Sequence, residues 1–175
     1  MVWLLPRETF QTGLRISSRA VTPFLYYLRR FIMHVHDIMT SHVEVIHPDA
    51  TLKEAAEKMS QLDIGPLPVC DGEQLVGMLT DRDITIRATA KGCDPKVTRV
   101  REAMTSEVVY CFADQDVKTA AQMMEMRQIR RVPVVNRNKQ LVGIVSLGDL
   151  AVETGDQELA GETLKHVSEP AEPTR

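Results

Sequence analysis

The sequence predicts a mixed α/β (α+β) fold made of two tandem β-α-β-β-α units, and three observations carry that reading. The first is an internal repeat. Val35-His36-Asp37-Ile38-Met39-Thr40 returns as Val100-Arg101-Glu102-Ala103-Met104-Thr105, and the match runs on through Ala55-Ala56/Ala120-Ala121, Pro68-Val69/Pro133-Val134 and Leu75-Val76-Gly77/Leu141-Val142-Gly143 to Thr80/Ser146 and Asp83/Asp149. The second is its register: the offset is 65 residues up to Asn138 and 66 beyond it, because Lys139 is one extra residue between two strand-like runs. Loop tips accept such insertions where strands do not. The third is that both copies change from period-2 to helical apolar spacing in the same order, so each is one supersecondary unit that needs its neighbour to bury an apolar face.

Taken in order, Val43–Ile46 reads as a short strand closed by His47-Pro48-Asp49. Thr51 opens a helix, with Glu54 completing a capping box. Leu52, Ala55, Ala56, Met59 and Leu62 fall on one face of it, and Gly65-Pro66 ends it. Leu67–Cys70 and Leu75–Leu79 are strands around an Asp71-Gly72 turn signal. Asp81 is placed to cap a second helix running to about Ala90. The second copy gives a strand at Val108–Phe112, a helix from Asp116 to about Gln128, strands at Val132–Val135 and Leu141–Val145, and a helix from near Leu147. The expected organisation is an N-terminal extension (1–33), a first unit (34–98), a second unit (99–155) and a disordered acidic tail (156–175).

The chain has 175 residues and a net charge of −3, with pI near 6.0, which gives no general basic footprint for nucleic acid. Residues 1–36 nevertheless hold five Arg against one Glu, and six of the eight aromatics. Pro23–Leu28 is too short to span a bilayer and is stopped by Arg29-Arg30. The leader fits an organelle transit peptide or a membrane-surface helix, or Met33 is the true start; the repeat beginning two residues after Met33 favours the last. Cys70, Cys93 and Cys111 form no CxxC pair and are odd in number, which fits a reducing, cytoplasmic compartment and small buried core residues.

The catalytic inventory is thin: no GxSxG, HExxH, Walker-type loop or post-strand GxGxxG is present, so no enzyme is expected. His34-x-His36 offers two donors without a further ligand spaced to complete a site, so no metal is expected. What recurs in both copies is a hydroxyl where a strand ends, with a carboxylate three residues on: Thr80 and Asp83, Ser146 and Asp149. A helix N-terminus offers N–H groups to phosphate, the hydroxyl donates to it, and a carboxylate accepts from both vicinal hydroxyls of a ribose. The same residues also make ordinary helix caps.

These residues carry a resemblance. Both halves resemble CBS motifs, and residues 35–155 resemble a paired Bateman module. The marks are the Asp-Ile-Met-Thr and Glu-Ala-Met-Thr openings, Ile64-Gly65-Pro66-Leu67-Pro68-Val69 with Ile129-Arg130-Arg131-Val132-Pro133-Val134, and two Gly-h-h-[ST]-x-x-Asp endings. Leu79–Ile84 is similar to small stand-alone bacterial members, including the hypoxic response protein group. The resemblance implies a pseudo-twofold pair with two clefts that take adenosine nucleotides or S-adenosylmethionine. Asp83 and Asp149 would hold ribose, Thr80 and Ser146 phosphate, and the backbone at Gly65–Pro68 and Arg130–Pro133 adenine, with Ile64, Pro66, Pro68 and Pro133 in the lining. It also implies a homodimer joined through the helices, where Met124-x-Met126 widens the apolar stripe.

Arg130-Arg131 stands where the first copy has Gly65-Pro66. Adjacent side chains entering a strand point to opposite faces, so one arginine is expected in a cleft, with Arg82 and Arg87 restoring part of the balance in the first half. The function expected is a non-catalytic sensor that needs no cofactor beyond an adenosine nucleotide as regulatory ligand and signals to an unknown protein partner. The competing expectation is a structural or interaction protein with vestigial clefts.

Overall fold

The computed structural model describes residues 33–170, so the expectations for residues 1–32 lie outside the described residues. The elements run α1 (Val35–Ile38), β1 (Thr40–Ser41), α2 (Leu52–Leu62), β2 (Pro66–Asp71), β3 (Gln74–Thr80), α3 (Asp81–Asp83), α4 (Val100–Ala103), β4 (Cys111–Phe112), α5 (Val117–Arg127), β5 (Arg131–Val135), β6 (Leu141–Ser146), α6 (Leu147–Glu153) and α7 (Gln157–Val167). After α3 the chain widens into a π-helical turn over Ile84–Ala88 and tightens into a 3₁₀ turn over Thr89–Lys91.

Local chemistry explains most of the boundaries. Thr51 Oγ1 accepts from the Glu54 N–H at 3.2 Å and Glu54 accepts from the Thr51 N–H, so the predicted capping box opens α2. Hydrogen bonds to Thr51 hold the exposed Glu54 carboxyl below its ordinary value. Asp116 caps α5 through the Lys118 N–H. Both helices stop on a left-handed residue, Asp63 (φ 53°) and its counterpart Gln128 (φ 50°), ahead of the predicted Gly65-Pro66 stop. The β2–β3 turn places Gly72 at φ 59°, while the longer β5–β6 turn puts the inserted Lys139 at φ 62° and ties Asn136 Oδ1 to the N–H groups of Asn138 and Gln140.

The two copies are related by a pseudo-twofold axis, and the backbone shows it by reciprocity. Gln74 bridges Gln140, its own counterpart; His34 bridges Asp116 as Thr51 bridges Arg99; and Thr40 pairs with Ile144 as Met78 does with Thr105. The opening segments are exchanged. Val35 and His36 donate to Gln115 and Ala113 of the second copy at 2.8 and 2.9 Å, and Val100 and Arg101 donate to Ala50 and Pro48 of the first at 2.9 and 3.0 Å. Val35 and Ile38 are accordingly buried in the second copy's core with Met124, Val132 and Leu150, and Val100 and Ala103 in the first copy's core with Leu52, Leu67 and Leu79.

Each sheet therefore sets a piece of the opposite copy beside a hairpin. The second sheet runs β1-β6-β5-β4, and the first repeats that order around β2-β3 with its outer members reduced to single bridges at Thr105 and Ile46. The exchange requires glycine at the crossing. A Cβ on Gly143 would lie 2.9 Å from the Thr40 carbonyl oxygen, and one on Gly77 would lie 3.2 Å from that of Thr105.

Several expectations need correction. Of Val43–Ile46 only Ile46 joins a ladder, and of Val108–Phe112 only Cys111–Phe112, because the residues before them leave the sheet: the Val45 carbonyl bonds Lys58 Nζ at 2.8 Å, and Val108 and Val109 line a cavity. Thr80, not Asp81, caps α3. Residues 157–167 are helical, not disordered tail. An acidic exposed face conceals a Leu159/Thr163/Val167 stripe that packs on the second core, and Thr163 Oγ1 donates to Glu125 Oε1 at 2.9 Å. Met126 does not widen the Met124 stripe: two residues on, it faces away and is 82% exposed. Cys70 and Cys111 are buried free thiols, each pushed up to about 11 by desolvation.

Candidate functional site

The strand-to-helix junctions are built identically in both copies. Asp83 Oδ2 accepts from the Thr80 N–H at 2.9 Å and from Thr80 Oγ1 at 2.8 Å, and the Asp83 N–H donates back to Thr80 Oγ1 at 3.1 Å. Ser146 and Asp149 repeat the arrangement at 2.7, 2.8 and 3.2 Å. Each carboxylate thus commits Oδ2 to its own helix. The expected open helix N-terminus is largely spoken for: in α3 the Asp81 N–H donates to the Gly65 carbonyl at 3.1 Å, the Arg82 N–H to Asp81 Oδ1 at 2.8 Å, and the Asp83 N–H to Thr80. The charged donors beside this junction are therefore side chains, not backbone groups.

Those side chains are arginines. A cavity of about 1030 Å³ opens between the copies, with Thr80, Arg82 and Asp83 at one end, Gly65 and Pro66 beside them, and Arg127, Arg130, Arg131 and Pro133 from the second copy. None of the four guanidiniums pairs with a carboxylate among the described residues, and all four residues are exposed. The carboxylates in the same lining are Asp81, Asp83 and Glu107. The counterparts of these seven positions are Gly148, Leu62, Gly65, Pro66, Leu147, Asp149 and His42, which offer one carboxylate and no arginine.

Two readings of the arginines change. Arg130 and Arg131 both line this cavity, because β5 begins only at Arg131 and strand alternation does not extend back to Arg130. Arg87 is absent from the lining. Its Nη1 donates to the Ala103 carbonyl at 2.8 Å and to Thr105 Oγ1 at 3.0 Å, and its Nη2 stands 3.4 Å from Asp83 Oδ1, so it fastens the π-helical turn to the exchanged segment.

Of the other anticipated residues, Ser146 and Asp149 lie at the second junction and are not in this lining. Pro68 is buried in β2, and Ile64 packs on the first core. The sequence reading missed Thr105, Glu107, Val108 and Val109, which the exchange carries across to the Thr80 end, and Arg127, which sits at the end of α5. It also missed Val167, through which α7 reaches the cavity. The repeat itself held the signal for the first four, since they follow directly on the second opening motif.

Two interlocked copies around a cleft, with a polar pair at each junction, define a module built as a domain pair. The CBS domain profile matches residues 35–88 and 100–154, and the chain belongs to the CBS domain family. It is 46% identical over 134 residues to the CBS domain-containing protein YhcV of Bacillus subtilis, an alignment covering 77% of this chain and 94% of that one. It is 41% identical over 116 residues to Hypoxic response protein 1 of Mycobacterium tuberculosis, covering 66% of this chain and 80% of that one. Among solved structures, the CBS domain pair of the protein MJ0100, in complex with 5′-methylthioadenosine and S-adenosyl-L-methionine, superposes with a TM-score of 0.62 at 31% identity. That match covers 71% of this chain and 97% of the other.

Proposed function

We propose that this chain is a non-catalytic regulatory module that binds an adenosine-containing ligand in the cleft between its two repeats and passes the resulting change in their relative packing to a protein partner. The supporting observation is the cleft itself. It joins Asp83, whose Oδ1 is outside the cap bonds and has Arg87 Nη2 at 3.4 Å, to a neighbouring hydroxyl and four arginines, and the MJ0100 pair holds adenosyl ligands. The carboxylate accepts from ribose, while the guanidiniums offer paired N–H donors whose contribution grows with phosphate charge. This cleft would prefer AMP, ADP or ATP, and the junction at Ser146 and Asp149, which has Gly148 where the first has Arg82, would suit an adenosyl ligand with less phosphate charge, such as S-adenosylmethionine.

A ligand touching both repeats biases their orientation by its differential affinity for the two arrangements, and that bias is the signal. A cytoplasmic homodimer belongs to the same reading. The thiols are unpaired, and Leu62 (43% exposed) and Met126 leave apolar surface on α2 and α5 for a partner helix. No helix among the described residues is long and apolar enough to cross a membrane.

Thermal melting against adenosine, AMP, ADP, ATP, S-adenosylmethionine and 5′-methylthioadenosine tests the proposal. Asp83→Asn is the informative variant: its amide oxygen still accepts the cap bonds, but its NH₂ cannot accept from ribose. Losing that charge-assisted acceptor costs about 1.5–3 kcal/mol of binding. A panel without any stabilising nucleotide returns the structural reading with vestigial clefts.

A further inference from the structure

We propose that His34, His36 and Asp37 bind a zinc-type divalent cation at the corner where the first repeat's opening helix docks on the second repeat. The three residues each bring one donor atom to within 4.8 Å of the others. His34 is the extended residue before α1 (φ −93°, ψ 158°), and its ring stacks on that of His36 with centroids 5.4 Å apart and planes 14° from parallel. Both imidazoles therefore stand on the same side of the chain.

The proton on His36 is placed by the fold. Its Nδ1 lies 2.9 Å from the Ala113 carbonyl, which can only accept, so in the neutral ring that binds a metal Nδ1 carries the hydrogen and Nε2 the lone pair. Metal-ligating histidines are oriented by the same kind of bond. Nε2 stands 3.4 Å from Asp37 Oδ1, while Asp37 Oδ2 accepts the His34 N–H at 3.0 Å, which fixes the carboxylate. Zinc bonds of about 2.0–2.1 Å set neighbouring ligand atoms roughly 3.4 Å apart. Closing from the present separations takes about one ångström of side-chain motion, and His36 and Asp37 are exposed and able to make it. Two imidazoles and one carboxylate suit zinc, cobalt or nickel over magnesium or calcium, with water completing the shell.

The opposite corner supplies an internal comparison. There the counterparts are Arg99, Arg101 and Glu102, and Arg101 forms an ion pair with Asp49. At the histidine corner the counterpart of Asp49 is Asp114, which Arg137 takes through Nε at 3.0 Å and Nη2 at 2.7 Å. Asp37 pairs with no lysine or arginine among the described residues. At both corners an arginine takes that aspartate, but only at the histidine corner does it come from outside the opening helix, whose own residues there present lone pairs. A bound metal would close the histidine corner and clamp α1 to the Ala113 carbonyl.

Calorimetric titration of the full chain, prepared without a histidine tag, with zinc chloride tests the site. The expected result is one zinc per chain, no comparable magnesium binding, and a tetrahedral visible spectrum when cobalt replaces zinc. His34→Ala, His36→Ala and Asp37→Asn should each weaken zinc at least about tenfold, whereas His47→Ala and Cys93→Ala should not. Asp37→Asn retains an oxygen for the His34 N–H, so it separates ligation from helix capping. Imidazole NMR resonances of His34 and His36 should shift on addition of zinc, with circular dichroism confirming the fold of each variant. Zinc binding that survives in the His34→Ala/His36→Ala double variant, absence of binding by the wild type, or equal affinity for magnesium would overturn the proposal.

Discussion

The two strand-to-helix junctions and the positions around them tell opposite stories about the same duplication. Thr80 with Asp83 and Ser146 with Asp149 make the same three hydrogen bonds, with corresponding lengths that differ by at most 0.2 Å. Around them, Arg82, Arg127, Arg130 and Arg131 gather on one cleft, while the matching positions hold Gly148, Leu62, Gly65 and Pro66. Residues that hold the backbone are confined by geometry in both copies. Residues that only face the cleft can differ without cost to the fold, and they are where the halves become chemically distinct.

The largest effect that separates the halves should come from α7, which covers the second core and has no counterpart on the first. Ending the chain at Gly155 removes Leu159, Thr163 and Val167 from that core. Burial on this scale is worth about 3–5 kcal/mol, so the melting temperature should fall by roughly 10 °C or more. An unchanged melt would show the halves to be equally self-sufficient.

Next come the crossing glycines. Gly143→Ala should cost about 1–3 kcal/mol in denaturant unfolding and Gly77→Ala less, because the clash with a carbonyl oxygen is tighter at Gly143. Reversal of that order would mean the first crossing is the stiffer.

Binding provides the third test. Arg130→Ala/Arg131→Ala should lose about tenfold or more in ATP affinity by calorimetry while adenosine affinity holds, since each charge-assisted contact is worth on the order of 1.5 kcal/mol. The preference should also weaken with salt, because the guanidiniums are exposed. Gly148→Arg should import phosphate preference into the other junction, where a Cβ meets only Ser146 Oγ at an ordinary 3.4 Å. The smallest effect should be at the caps: Thr51→Ala and Asp116→Ala each cost about 1 kcal/mol by thermal melting, Thr51 more because its box is reciprocal.

Much of this is legible in the sequence. The capping box at Thr51, the hairpin turns, the insertion at Lys139 and the paired hydroxyl and carboxylate all follow from short-range chemistry. What was hidden depends on where distant segments meet. A repeat does not say which copy an opening helix docks on, so the exchange of Val35 and Val100 was invisible. With it went the arrival of Thr105–Val109 at the Thr80 end and the gathering of all four arginines on one side. The helix at 157–167 is hidden in the sequence because six acidic residues in 151–175 mask a stripe of only three inward residues. The short outer strands were overextended because period-2 apolar runs line a cavity as readily as a sheet.

The exchanged openings also set the order in which the chain can mature during synthesis. Val35 waits for Gln115, and the first core waits for Val100 and Ala103, so the first half cannot close when its own residues have left the ribosome, whereas the second finds Val35 and Ile38 already made. Contacts this far apart in sequence slow folding, and the nascent first repeat must persist with an open seam until the second has emerged. Cleaving the connection near Gly92 after folding should leave two fragments that remain locked together. Expressing either half alone should yield a chain whose most exposed apolar surface is the seat of the missing opening helix.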